Sequence, residues 1–218
     1  MTTRSRLSYF LPRFAERRTT DAAGISRRPV LLHAVRMDYQ LHGCRILDAG
    51  FISLLVYRIG RWADSRQSKW GRRPAQKLYG LLRMVTATVT RVWIPSQVTL
   101  GEGFHIIHAE GSISIHPDVV IGKRCGVMHN VTIGTNMTAG APVIGDDVFI
   151  GVNSTVLGKI RIGDRVRIGA NTAVSTDIPS DSIVLGSPAK VYPRLGPLTN
   201  GHSKADCKIS TEQGAGVR

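Results

Sequence analysis

An aliphatic residue returns every six positions from Ile144 to Val174, at Ile144, Ile150, Val156, Ile162, Ile168 and Val174. Glycine follows it directly at Gly145, Gly151, Gly163 and Gly169, and slips one place to Gly158 after Leu157. Upstream the same beat runs through Ile121-Gly122, Val127 and Ile133-Gly134, and more faintly through Leu100-Gly101 and Ile106. A helix repeats at about 3.6 residues and an isolated strand at about 2, so neither accounts for six. A sustained six-residue repeat predicts a parallel β-helix, in which short strands stack coil on coil and each coil buries its neighbour's apolar edge. The aliphatic residue is expected inside the prism. The glycine is expected at a corner that needs φ angles a side chain resists.

The 218 residues suit one solenoid with a helical segment attached. The expected class is α+β. A basic tail over 1–28 is expected to be disordered, followed by a helical domain over 29–93, a β-helix over 94–192 and a flexible tail over 193–218. Apolar residues at three- and four-residue steps predict helices from about Pro29, from Ile46 to Ala63 and from Ala75 to Val92, with Ile94-Pro95 ending the last. Two stretches interrupt the solenoid. Phe104–Pro117 stretches the beat by three residues, and Thr135–Pro142 lengthens one step from six to eleven. A loop thrown out of a regular coil points to a site, and both are expected to border one groove.

The charge is uneven. Residues 1–90 hold 17 Lys and Arg against 5 Asp and Glu, which is +12 of the net +14. No nucleic-acid fold signature accompanies it and aromatics are sparse, so a nucleic-acid partner is not expected. A solvated basic face is expected, with weak contact to an anionic membrane as the partner this charge allows. The three cysteines, Cys44, Cys125 and Cys207, form no CxxC pair and predict neither a disulfide framework nor a zinc site. No apolar run reaches a membrane-spanning length, and the basic N-terminus lacks the apolar core of a secretory signal. The default location is the cytoplasm.

AVRMD at Ala34–Asp38, FISLLVYRIGRW at Phe51–Trp62, IIHAEG at Ile106–Gly111, MHNVTIG at Met128–Gly134 and VLGSPAKV at Val184–Val191 together resemble the hexapeptide-repeat acyltransferases. Within them the chain is most similar to serine O-acetyltransferases and their polysaccharide-cluster relatives. The resemblance covers about residues 30 to 192. It implies a left-handed β-helix, against the usual crossover rule. It also implies homotrimers or multiples of trimers, with acetyl-CoA in the groove between neighbouring prisms.

Moving an acetyl group from a thioester to an alcohol requires a base for the hydroxyl proton, and histidine titrates in the working range. The resemblance places His108 at the family's catalytic histidine. No serine, and not Cys125, lies in a nucleophile motif, so direct transfer is expected. His105 and His108 lack a third ligand at metal spacing, so no metal is expected. His42 and His116 read as turn or surface residues. Asp38, His105, Glu110, His129 and Asn130 are the acceptor-pocket candidates, with Glu110 or His105 as groups that orient His108. Family positions for acetyl-CoA match Gly151, Arg167, Gly169, Ala170 and Lys190, the cations facing CoA phosphates.

Several positions depart from the family. Trp93 stands where serine acetyltransferases place an aspartate beneath the base. Ile107 replaces an aspartate just before it, and Gly140-Ala141 replaces an Arg-His pair. Overall likeness implies L-serine as acceptor. The missing charges favour a neutral sugar hydroxyl in surface-polysaccharide assembly, because a zwitterion needs charged partners at both ends. The loss of the aspartate also admits an inactive trimeric scaffold.

Overall fold

The computed structural model describes residues 31–66, 68–137 and 140–194. The expectations for 1–28 and for the tail beyond 194 lie outside the described residues. Three helices come first: α1 (Leu31–Leu41), α2 (Ala49–Ser65) and α3 (Lys69–Thr90). Helix α2 starts three residues later than the apolar pattern predicts. Asp48 caps it, its carboxylate accepting from the Phe51 N–H at 2.9 Å. Helix α3 starts six residues earlier than predicted and runs through Pro74. A proline so near the start removes a single intrahelical hydrogen bond, so the helix continues past it.

The chain then winds through four coils. The first holds β1 (Val92–Trp93), β2 (Thr99–Leu100) and β3 (His105–Ile107). The second holds β4 (Ile113–Ile115), β5 (Val120–Ile121) and β6 (Gly126–Met128). The third holds β7 (Val131–Gly134), β8 (Val143–Ile144) and β9 (Phe149–Ile150). The fourth holds β10 (Thr155–Leu157), β11 (Arg161–Ile162) and β12 (Arg167–Ile168). Strands β13 (Ala173–Val174), β14 (Ser182–Leu185) and β15 (Lys190–Pro193) close the stack.

Parallel pairing sorts the strands into three faces: β1-β4-β7-β10-β13, β2-β5-β8-β11 and β3-β6-β9-β12-β14, with β15 added antiparallel to the third. A regular coil is 18 residues, as Ile144 pairs with Ile162 and Ile150 with Ile168. The first coil is longer by the three residues around His108, pairing Val92 with Ile113. The third is longer by the five residues of the 135–142 loop, pairing Ile121 with Ile144. The beat residues are the prism interior: Ile144, Ile150, Val156, Ile162, Ile168 and Val174 are all buried.

The glycines serve a different purpose from the one expected. Gly101, Gly122, Gly145, Gly151, Gly163 and Gly169 are absent from the positive-φ set. Coil-to-coil approach is what excludes a side chain: a Cβ on Gly101 would stand 2.4 Å from the Gly122 carbonyl oxygen, and one on Gly151 would stand 2.8 Å from the Ala170 nitrogen. The left-handed turns fall two places later in most coils, on Arg124, Asp147, Asn153, Arg165 and Asn171, all with φ between 53 and 57. Along the corner between the second and third faces Arg124, Asp147 and Arg165, with Asp181, form an ion-pair column. Arg124 bonds both Asp147 oxygens and Arg165 both Asp181 oxygens. The arginines hold both carboxyls below their usual range.

A buried polar network fastens the helices to the first coils. Arg58 donates to Asp38 at 3.0 Å and to the Gly101 carbonyl at 3.4 Å. The Tyr57 hydroxyl donates to the Val98 carbonyl and accepts from the Leu100 N–H. His42 sits in the turn after α1, one of its two expected placements, and is buried there, not at the surface. Its Nδ1 faces the Asp38 carbonyl at 2.7 Å and its Nε2 faces the Ile106 N–H at 3.3 Å. A carbonyl accepts and an N–H donates, so this pair of partners selects the Nδ1–H tautomer. Cys44 is disulfide-bonded, where the sequence predicted no disulfide framework.

Candidate active site

The edge where the third face turns into the first gathers most of the residues singled out in the sequence. His108 lies in the stretched turn between β3 and β4, with φ 56 and a side chain 64% exposed. One coil on, His129 and Asn130 occupy the turn between β6 and β7. Gly151 follows between β9 and β10, then Gly169 and Ala170 between β12 and β13. These turns are stitched together along the prism axis. Asn130 Oδ1 accepts from the Ser112 N–H at 3.0 Å, the His129 carbonyl from the Asn153 N–H at 3.2 Å and the Gly169 carbonyl from Ser154 Oγ at 2.7 Å. Adjacent strands are about 4.8 Å apart, so the three coil steps from His108 to Ala170 cover about 14 Å.

Glu110 Oε2 is 3.9 Å from His108 Nδ1, an electrostatic approach longer than a hydrogen bond. Both groups face solvent. The His105 ring meets His42 edge-on, centroids 4.9 Å apart, which couples the strand before His108 to helix α1. His129 Nδ1 is buried without a hydrogen-bond partner among the described residues. Asp38 stands apart from this edge. It is 1% exposed and both oxygens accept from Arg58, with burial pushing its carboxyl up against the pull of that guanidinium.

Trp93 points outward from the first face, in register with Ser114, with the Arg83 guanidinium 4.6 Å from its ring centroid. On the third face, Arg167 lies over the Phe149 ring and donates to the Asp147 carbonyl at 3.1 Å. Burial and the nearby Arg194 lower its pKa. Lys190 pairs with Leu185 at the C-terminal end of that face. Arg194 and Arg58 were not singled out from the sequence, and only three-dimensional pairing separates them from the chain's other cations. The Cys125 thiol is buried and pushed up to about 12 by desolvation, far from a thiolate nucleophile. No group of three His, Cys, Asp or Glu is placed to hold a metal ion among the described residues.

The two interruptions of the solenoid flank opposite edges of the first face. The His108 turn leads into β4, and the 135–142 loop leaves β7. Within one chain the width of that face separates them, roughly four residues or about 13 Å. On a single prism they therefore stand at different edges. In the loop, Gly140 lies against Lys159, whose Cβ would be 2.8 Å from a Gly140 Cβ.

Residues 141–176 match the family model for the bacterial transferase hexapeptide of six repeats. A serine acetyltransferase of Synechococcus elongatus is 34% identical over 150 residues, 67% of this chain and 58% of the relative. That of Helicobacter pylori is 34% identical over 148 residues, 66% of this chain and 82% of the relative. Among solved structures, the Neisseria gonorrhoeae serine acetyltransferase superposes with TM-score 0.63 at 28% identity, covering 75% of this chain and 65% of its own. The soybean serine acetyltransferase complexed with serine superposes with TM-score 0.63 at 29% identity, covering 76% of this chain and 70% of its own. The chain spans about three fifths of the length of several of these relatives, 58% for Synechococcus and 62% for Buchnera aphidicola. With 82% of the Helicobacter protein covered at 34% identity, the chain belongs to the serine acetyltransferase family of hexapeptide-repeat proteins.

Proposed function

We propose that this chain is an acetyl-CoA-dependent O-acetyltransferase in which His108 acts as general base. The observation that carries the reading is the single edge on which His108, His129, Asn130, Gly151, Gly169 and Ala170 follow one another coil by coil. An extended thioester lying along that edge has its acyl end at His108. Its phosphates lie toward Arg167, Arg194 and Lys190, where like charge and burial already oppose the cation on Arg167. With Nδ1 turned to Glu110, His108 offers Nε2 to the acceptor hydroxyl. It takes the proton as the oxygen bonds to the thioester carbonyl carbon. As the C–S bond breaks, the departing thiolate takes that proton from the imidazolium. Cys125 plays no part, so no acyl-enzyme forms. Asp38, through Arg58 and His42, positions the strand that presents His105 and His108.

L-serine is the first acceptor to test, because the relatives are serine acetyltransferases. A sugar hydroxyl is the second reading, favoured by the uncharged Gly140-Ala141 stretch. The site is completed by a second prism, since the His108 turn and the 135–142 loop sit on opposite edges of one face; a homotrimer or a multiple of trimers satisfies this.

The test is thiol release from acetyl-CoA with serine and with sugar alcohols. His108→Ala is expected to lower transfer by about 10² to 10⁴-fold with acetyl-CoA binding intact. Unchanged turnover by the variant overturns the mechanism. No thiol release with any acceptor overturns the activity and leaves the scaffold reading.

A further inference from the structure

Helix α3 leaves one long face uncovered. Trp70, Leu78, Leu81, Met84, Val85 and Val89 are all exposed, from 52% at Val85 to 93% at Trp70. At about 100° per residue they fall on one arc centred on Leu81, while Tyr79 and Thr90 turn inward and are buried. The arc runs the length of 22 residues, about 33 Å. The charge of this helix is of one sign. It carries Lys69, Arg72, Arg73, Lys77 and Arg83 and no Asp or Glu. Arg73 borders the apolar arc and Lys77 falls within its edge; with Pro74 and Gln76 they line an open hollow at its N-terminal end.

We infer that this face docks on an anionic lipid surface. The apolar arc lies in the interfacial layer, and the flanking cations meet headgroup phosphates. Charge decides against a second copy as the occupant: two such helices face to face bring together cations with no acid between them. No helix among the described residues is long and apolar enough to cross a membrane, so the contact lies on the surface. Binding of this kind needs no acetyl transfer and is independent of the proposed chemistry.

The experiment is co-sedimentation of the full chain with phosphatidylcholine vesicles, with and without roughly one third phosphatidylglycerol. Binding is expected with phosphatidylglycerol and is released by salt. Trp70→Ser with Leu81→Asp is expected to lower the bound fraction by about tenfold or more. Arg73→Glu with Lys77→Glu, at exposed positions that keep the fold, abolishes the preference for the anionic lipid. Failure of the unmodified chain to sediment with anionic vesicles overturns the inference. Undiminished binding by both variants, read with circular dichroism confirming their fold, places the contact elsewhere and also overturns it. A fall in oligomer mass on Trp70→Ser with Leu81→Asp makes the face a self-interface, the third overturning result.

Discussion

Asn171 holds φ 54 at the edge that carries the site, and its backbone N–H donates to the Val152 carbonyl at 2.9 Å. The left-handed region costs a residue with a Cβ about 1–2 kcal/mol, least for Asn and nothing for Gly. Asn171→Gly is therefore expected to leave the denaturation midpoint close to wild type. Asn171→Val is expected to lower stability by about 1–2 kcal/mol, read by urea unfolding. Equal stability of the two variants contradicts the backbone account. The residue scale also shows where the sequence misleads. The Ile-Gly beat announced the coils, and the expected reason for its glycines was conformational. Their real constraint is contact between coils, which a single repeat does not display. Asn153, Asn171 and Asp147 carry the turn conformation instead. Asp38 likewise read as a site acid, and only burial shows that it pairs with Arg58.

At the scale of elements, the helices are fitted to one another and to the coils by close approach. A Cβ on Gly60 of α2 would stand 2.5 to 2.8 Å from three atoms of the Tyr79 ring on α3. Tyr79 has little room to move, because it is buried and its hydroxyl accepts from the Ser96 N–H at 2.9 Å. Gly60→Ala gains about 1 kcal/mol of helix propensity. Against that, overpacking costs about 1–3 kcal/mol and displaces the Ser96 contact. The net expectation is a loss of up to about 2 kcal/mol in chemical denaturation. A stabilised variant shows that α2 and α3 are free to separate. Helix α2 was legible from its apolar period apart from the start that Asp48 sets. Helix α3 was legible from Ala75 onward and not in its first six residues, Lys69–Pro74, and the exposed apolar arc gives no hint of which side faces the coils.

For the whole molecule, the three-faced prism was legible from one period, because a repeat of six leaves few other ways to bury an aliphatic every sixth residue. The site was legible as a list of residues and not as an arrangement. Spacing along the chain does not reveal that the His108 turn and the 135–142 loop sit on opposite edges of the first face. On the proposed reading the groove is a property of two chains: the loop of one prism would meet the His108 edge of another, and the proposed reaction would depend on assembly. Light scattering is expected to give three protomers or a multiple. A stricter test mixes two inactive variants, His108→Ala and a chain whose 135–142 loop is cut to the regular step. Unfolded together and reassembled, they form mixed trimers in which one chain supplies the loop and its neighbour the histidine. Random mixing restores about one site in four, whereas neither variant recovers activity alone. Recovery at that level shows the groove to be shared between chains. No recovery from mixed trimers of confirmed composition means that one prism supplies both edges, and the geometric reading of the first face is then wrong.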